Sequence, residues 1–311
     1  MQRSIVWVLS AIFIMAAHAE APSRSEWADA FLQHCRIEDF PATSKETRHS
    51  QGKAWSEWAK KQLLKDDMEG ASAALKAEVC EIWDQLVLRA NTSEIPLIRS
   101  EIITINERVK AAKTRFGDHP LLSYLELRST HYSFSQFEKL ERTQAYLKTE
   151  GLKKSSALLR YMALNVAEEA ATRSDQLHHT FDIHQLKVLK EIMSHKSWKD
   201  DQIAEIWIGM LIEFPTQIDA KHYDSLENIY RDSKIPEWAK ETLMCRLERA
   251  RAWASRGSGY SNTVTPEGAK GFTTHMERAE KHGTLAYSLN PRSAFPARTM
   301  VNVAGVHNTA L

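Results

Sequence analysis

The apolar residues of this chain recur with the spacing of an α-helix almost throughout, and that one pattern excludes most folds. Ile95, Ile98, Ile102, Ile105, Val109, Ala112 and Phe116 are separated by three and four residues in alternation, which puts one stripe on one helix face. Ile203, Ile206, Trp207, Met210, Leu211 and Phe214 repeat the pattern with a wider face, and Pro215 is expected to stop that helix. Leu75, Val79, Ile82, Trp83 and Leu86 form another stripe. Leu158, Leu159, Met162, Val166 and Ala170 form the next, and Leu243, Leu247, Ala250 and Trp253 another. No alternating apolar and polar run of useful strand length interrupts them. Turn residues fall between the stripes near Asn91 to Pro96, Gly117 to Pro120, Gly151, Ser174, Ser197, Pro215 and Pro236. Pro96, Pro120 and Pro236 stand where a helix begins, a position at which the missing N–H costs nothing. The expectation is an all-α protein of antiparallel helical hairpins, stacked as a solenoid or gathered as an irregular bundle.

The first residues read differently. Arg3, an apolar run from Ile5 to Ala17, and Ala17 and Ala19 in A-x-A spacing together have the form of a secretory signal, with cleavage expected after Ala19. The uncharged run between Arg3 and Glu20 is 16 residues, short of the roughly 20 that a spanning helix needs. The chain is therefore expected to be exported, to the periplasm or beyond the cell, with no membrane span after cleavage. Three segments follow from this reading: a signal peptide at 1–19, a less regular helical cap at 20–70 that carries Trp27, Trp55 and Trp58, and a helical repeat-like domain at 71–311. The tryptophans of the cap are read as gap fillers between crossing helices, with a ligand-stacking surface as the lesser alternative.

Charge excludes further classes. Loss of Arg3 leaves 40 basic side chains from the 41, against 40 acidic ones, so the mature formal charge is zero. Such a balance gives no electrostatic case for nucleic acid or an anionic membrane as partner. Cys35, Cys80 and Cys245 allow at most one disulfide within the chain, and no C-x-x-C pair points to metal. Cys80 and Cys245 lie in apolar helical patterns and are expected to be buried. Asn91-Thr92-Ser93 matches a glycosylation acceptor, which matters only in a host that glycosylates exported proteins.

Few residues are placed for chemistry. His178 and His179 share a helix face with Asp182, the i, i+3 and i, i+4 spacing that a helical metal site requires, but His184 falls off that face and no H-E-x-x-H occurs. The bland reading, residues of a turn and a helix start, is the preferred one, and no metal is expected. Ser258 lies between Gly257 and Gly259, yet a helix precedes it where a nucleophile elbow needs a strand. No phosphate loop or dinucleotide fingerprint is present, so no cofactor is expected.

The stretch from Ala252 to Gly268 holds three of the 11 glycines. Gly257 reads as the left-handed residue that closes a helix, with Arg256 at the negative end of its dipole and Tyr260 packed back on Trp253. The sharper reading is a small anion-binding nest formed by Arg256 and the backbone of Gly257 to Tyr260. Thr265, Pro266 and Glu267 then start a helix that runs to Leu289, before Asn290-Pro291. Trp253, Gly257 and Tyr260 resemble the W-x-x-x-G-x-x-Y of a tetratricopeptide repeat's first helix. Ala279, Ala286 and Pro291 are similar to the spacing of its second. The interval from Trp253 to Ala279 is 26 residues against 16 in that repeat, and Gly283 stands where the repeat prefers an aromatic. W-x-x-R-G-S-G-Y with the following Ala- and Glu-rich helix resembles a motif of exported bacterial proteins with helical, repeat-like domains, over about Trp238 to Ala304. The resemblance implies an envelope setting and a helical-repeat fold, and no activity. Met300 to Val306 shows no evident partner helix in the sequence.

Two functional expectations follow. The first is a non-enzymatic helical protein that binds a protein or peptide partner, through Trp253, Arg256, Ser258 and Tyr260. The second is an all-α hydrolase or carbohydrate-active enzyme near the same loop, which requires acids such as Glu267 or Glu277 to meet a histidine in one cleft.

Overall fold

The computed structural model describes residues 45–89, 97–130, 136–171, 175–216, 218–257 and 263–307. Among these, every regular element is a helix and no strand occurs, so the all-α expectation holds. The signal segment, Trp27, Cys35 and the Asn91 to Ser93 acceptor lie outside the described residues. The chain divides into two compact units, one of them spanning Thr43–Pro236 and the other containing Glu237–Leu311.

In the first unit the longer helices are α1 (Lys45–Asp66), α2 (Ala73–Trp83), α3 (Arg99–Phe116), α4 (Pro120–Thr130), α5 (Gln136–Leu147), α6 (Ala157–Ala171), α7 (Asp175–Met193), α8 (Asp201–Leu211) and α9 (Tyr223–Asp232), with a single helical turn at Glu150–Lys153 before α6. The α2 stripe of Leu75, Val79, Ile82, Trp83 and Leu86 is buried as its spacing requires. So are Ile102, Ile105, Val109 and Ala112 of α3, whereas Ile98 is 58 % exposed. Ile98 is the N-cap residue of α3, outside the regular turns, so the stripe loses its partner face there. Arg108 joins α3 to α2 by bonding both Glu78 and Glu81. Arg89 and Glu101 meet at 2.6 Å farther along the same pair. These contacts rise on one helix as they fall on the other, so α2 and α3 run antiparallel. Beyond Trp83 the helix widens into a π segment at Asp84–Leu88, with Lys60 of α1 donating to Asp84 at 2.6 Å.

Tryptophans fill the joints between these helices. Trp58 meets Trp207 edge-on at 4.7 Å, and Trp207 stacks with Trp198 at 6.0 Å. Their indoles are anchored as well as packed: Trp83 donates to the Ser56 carbonyl, Trp198 to the Ile192 carbonyl, and Trp207 to the Ser197 hydroxyl. The edge-on contact with Trp207 fits the gap-filling role for Trp58, which is half-buried. Helix α8 ends at Leu211, ahead of Pro215, which sits inside a separate 3₁₀ turn at Phe214–Thr216.

The second unit has three helices among its described residues: α10 (Glu237–Arg256), α11 (Pro266–Leu289) and α12 (Ala294–His307). The start and end of α11 coincide with the expected ones because local chemistry sets both. Thr265 accepts from the Gly268 N–H at 3.0 Å, and Pro266 occupies the first position. Met300 and Val303 of α12 are buried, with α12 packed on α10 and α11. The run from Met300 therefore has partner helices that its sequence did not reveal. Cys245, Ala252, Phe272, Met276, Ala279 and Val303 form the shared core. Gly283 lets α11 approach closely: a Cβ there would lie 3.0 Å from Met300 Cγ and 3.2 Å from Cys245 Sγ. An aromatic at this position has no space.

Candidate functional site

The end of α10 supplies the candidate surface. Gly257 has φ of 77°, and its N–H donates to the Trp253 carbonyl at 3.0 Å, so the helix stops as expected for a left-handed closing residue. The stop leaves Trp253 in the last turn and 40 % exposed, not buried with the remainder of its stripe. Phe272 of α11 meets the indole edge-on, centroids 5.3 Å apart, while the Arg256 guanidinium lies over the ring at 5.4 Å. The indole is thus held from one side by an aromatic edge and from another by a cation, in a geometry that favours both contacts. Ser258 and Tyr260 lie outside the described residues, and with them the backbone of the proposed nest.

Deeper along the same hairpin is a polar arrangement that the residue patterns did not suggest. Between Glu241 and Glu248, α10 is buried on all sides. His282 donates through Nδ1 to Glu241 at 2.5 Å, and His275 through Nδ1 to Glu248 at 2.8 Å. Arg251 donates to the other oxygen of Glu248 at 2.7 Å. The acids that meet histidines are therefore Glu241 and Glu248, whereas Glu267 and Glu277 stand exposed on α11. The two glutamates are seven residues apart, as are the two histidines. Two antiparallel helices bring such pairs together two turns apart. That matched spacing was the available signal. Cys245, between the two glutamates, is a free thiol whose acidity burial weakens, its pKa pushed up to about 12. It is buried as expected, whereas Cys80 is only half-buried.

The histidine segment of α7 resolves differently. The side chains of His178 and His179 lie outside the described residues. Asp182 is buried and accepts from the Asp219 backbone N–H at 3.1 Å, with His222 Nε2 at 3.7 Å. It thereby ties the segment before α9 to α7. His184 is exposed, and His195 caps a 3₁₀ turn by accepting from the Ser197 N–H at 3.2 Å. Among the described residues no group of three or more His, Cys, Asp or Glu is placed to hold a metal ion. Nor is any helix of the described residues long and apolar enough to cross a membrane.

Fold and surface together define an all-α protein of helical hairpins with an aromatic–cation pair presented at one helix end. No family model matches the chain, and neither curated proteins nor solved structures yield a match.

Proposed function

We propose that this chain is an exported, tetratricopeptide-like helical protein that binds a protein or peptide partner in the periplasm or outside the cell, without catalysis of its own. The observation that supports the reading is the half-exposed Trp253, fixed between Phe272 and Arg256. Trp and Arg dominate the energetics of protein interfaces because a rigid, amphipathic ring and a planar cation bury much area at little entropic cost. The ring is already oriented, so little freedom is lost when a partner covers it. Farther along α11, Leu285 is also exposed, beside Glu277, Glu280 and Lys281, and Leu289 is exposed at the helix end. Apolar side chains rimmed by charges have the composition of a contact surface.

The test is a pull-down from an envelope extract with the mature protein and with Arg256→Ala in parallel. The reading expects a partner retained by the wild type and lost by the variant, while circular dichroism shows the variant folded. A folded Arg256→Ala protein that keeps every partner removes the loop from the account.

A further inference from the structure

Three turns of the first unit meet at a joint built from ionisable groups. Asp67 follows α1, Asp118 and His119 lie between α3 and α4, and Ser156 precedes α6. The Asp67 carboxylate accepts from the Ser156 N–H and from its hydroxyl, both at 2.6 Å, across 89 residues of sequence. Ser156 Oγ in turn accepts from the Leu159 N–H at 3.2 Å, so Asp67 braces the start of α6. His119 performs the matching task for α4. Its Nδ1 accepts from the Leu121 N–H at 3.2 Å, and the ring also bonds the Asp67 backbone. With Nδ1 acting as acceptor, the proton must reside on Nε2, the one nitrogen left to donate to that backbone. The ring is therefore required in its neutral form and in one tautomer.

We propose that His119 makes this joint an acid-operated release: protonation of the imidazole removes the cap from the start of α4. A proton on Nδ1 would confront the Leu121 N–H with a second donor, so that hydrogen bond is lost. An uncapped first turn frays, since its N–H groups then have no acceptor. The other charged or ionisable groups around the joint are Asp66 and Asp67 from the α1 end, Asp118 in the turn, Lys113 of α3, Tyr124 of α4 and Tyr146 of α5. Asp118 is committed elsewhere, to Ser123 at 2.5 Å and Lys113 at 3.0 Å. Tyr146 donates its hydroxyl to the Pro120 carbonyl at 2.9 Å. Neither substitutes for His119 as acceptor of the Leu121 N–H.

The direction of the pH dependence follows from the surroundings. Burial holds the His119 imidazole below its ordinary value of 6.5, against the pull of the Asp67 backbone and of the Asp67 and Asp118 charges. As pH falls below 6.5, the open form takes up the proton before the closed form, so the closed joint loses stability. Asp67 has the opposite sign. Burial raises its carboxyl above the ordinary 3.8, so on acidification the closed form takes up that proton first and is stabilised. Loss of the closed joint therefore begins as pH falls below 6.5, and protonation of Asp67 opposes it.

The experiment is NMR of the full chain between pH 7.5 and 5, following the His119 ring shifts and the exchange of the Leu121 amide, corrected for intrinsic rates. The expected result is a fall in Leu121 protection of about tenfold or more, beginning near pH 6.5 and levelling off where the His119 ring of the folded protein titrates, while amides in the middle of α6 keep theirs. In His119→Asn, whose side chain can cap without titrating, the protection becomes independent of pH. Leu121 protection that stays constant while His119 titrates overturns the proposal, as does an equal fall in the asparagine variant. Should that variant not fold, the wild type decides alone: Leu121 protection that does not fall between pH 6.5 and the His119 titration refutes the release.

Discussion

Glu248 offers the sharpest test of how the α10–α11 hairpin is held. The residue is 3 % exposed, and both carboxylate oxygens are engaged, one by Arg251 at 2.7 Å and the other by His275 at 2.8 Å. In Glu248→Ala both charge-assisted bonds disappear, each of which contributes about 1.5–3 kcal/mol net. Arg251 and His275 keep side-chain exposures of 11 % and 22 %, so each recovers part of its hydration when the carboxylate is removed. The expected loss is therefore about 3 kcal/mol, the lower end for removal of one partner from a buried pair. The assay is native-state hydrogen exchange of the full chain, read on the slowest amides of α10 and α11. The loss corresponds to exchange faster by about 100-fold there, at 1.36 kcal/mol per factor of ten, with no change in α6. The double variant Glu248→Met, His275→Leu should recover part of that loss, because an apolar pair of similar volume leaves only Arg251, whose side chain is 11 % exposed, without its carboxylate. A single-variant loss below about 1 kcal/mol, or a double variant no better than the single one, refutes the assignment of these groups as the polar lock of the hairpin.

Two further outcomes follow from the same unit. Gly257→Ala must hold an alanine at φ of 77°, which costs about 1–2 kcal/mol and should appear as faster exchange in the last turn of α10 with binding unaffected at saturating partner. Unchanged exchange there would show that the turn relaxes without strain. Cys245, buried with its thiol pKa pushed up to about 12, should resist a disulfide reagent at pH 8 until denaturant is added. Half-buried Cys80 should react slowly in the native protein, and prompt labelling of Cys245 would mean that α10 opens readily.

How much of this was legible depends on how local the cause is. Helix α11 was readable from Thr265 to Asn290 because a hydroxyl cap, a proline and a terminal asparagine act within one turn of themselves. The stripes of α2 and α3 were readable because period alone selects the buried face. Trp253 and Ile98 broke that rule at helix ends, where the stripe runs past the partner that would cover it. The pairing of Glu241 with His282 and of Glu248 with His275 depends on the register between two helices, which no single segment contains. The π segment at Asp84–Leu88 has no composition of its own that marks it in the sequence. The brace between Asp67 and Ser156 joins residues too far apart for any local pattern. The division at Pro236 is marked only by a proline of the same kind as Pro120, which heads a helix inside a single unit.

The central claim, that the Trp253–Arg256 end of α10 is a binding surface, is tested most directly by a dissociation constant. The measurement compares the mature wild-type protein with Trp253→Ala against the partner captured from the envelope extract, with circular dichroism to establish that both are folded. A central tryptophan anchor contributes about 2 kcal/mol or more, so the account predicts binding weaker by about 30-fold or more. A folded Trp253→Ala protein that binds within about twofold of wild type, well under 1 kcal/mol, would contradict it.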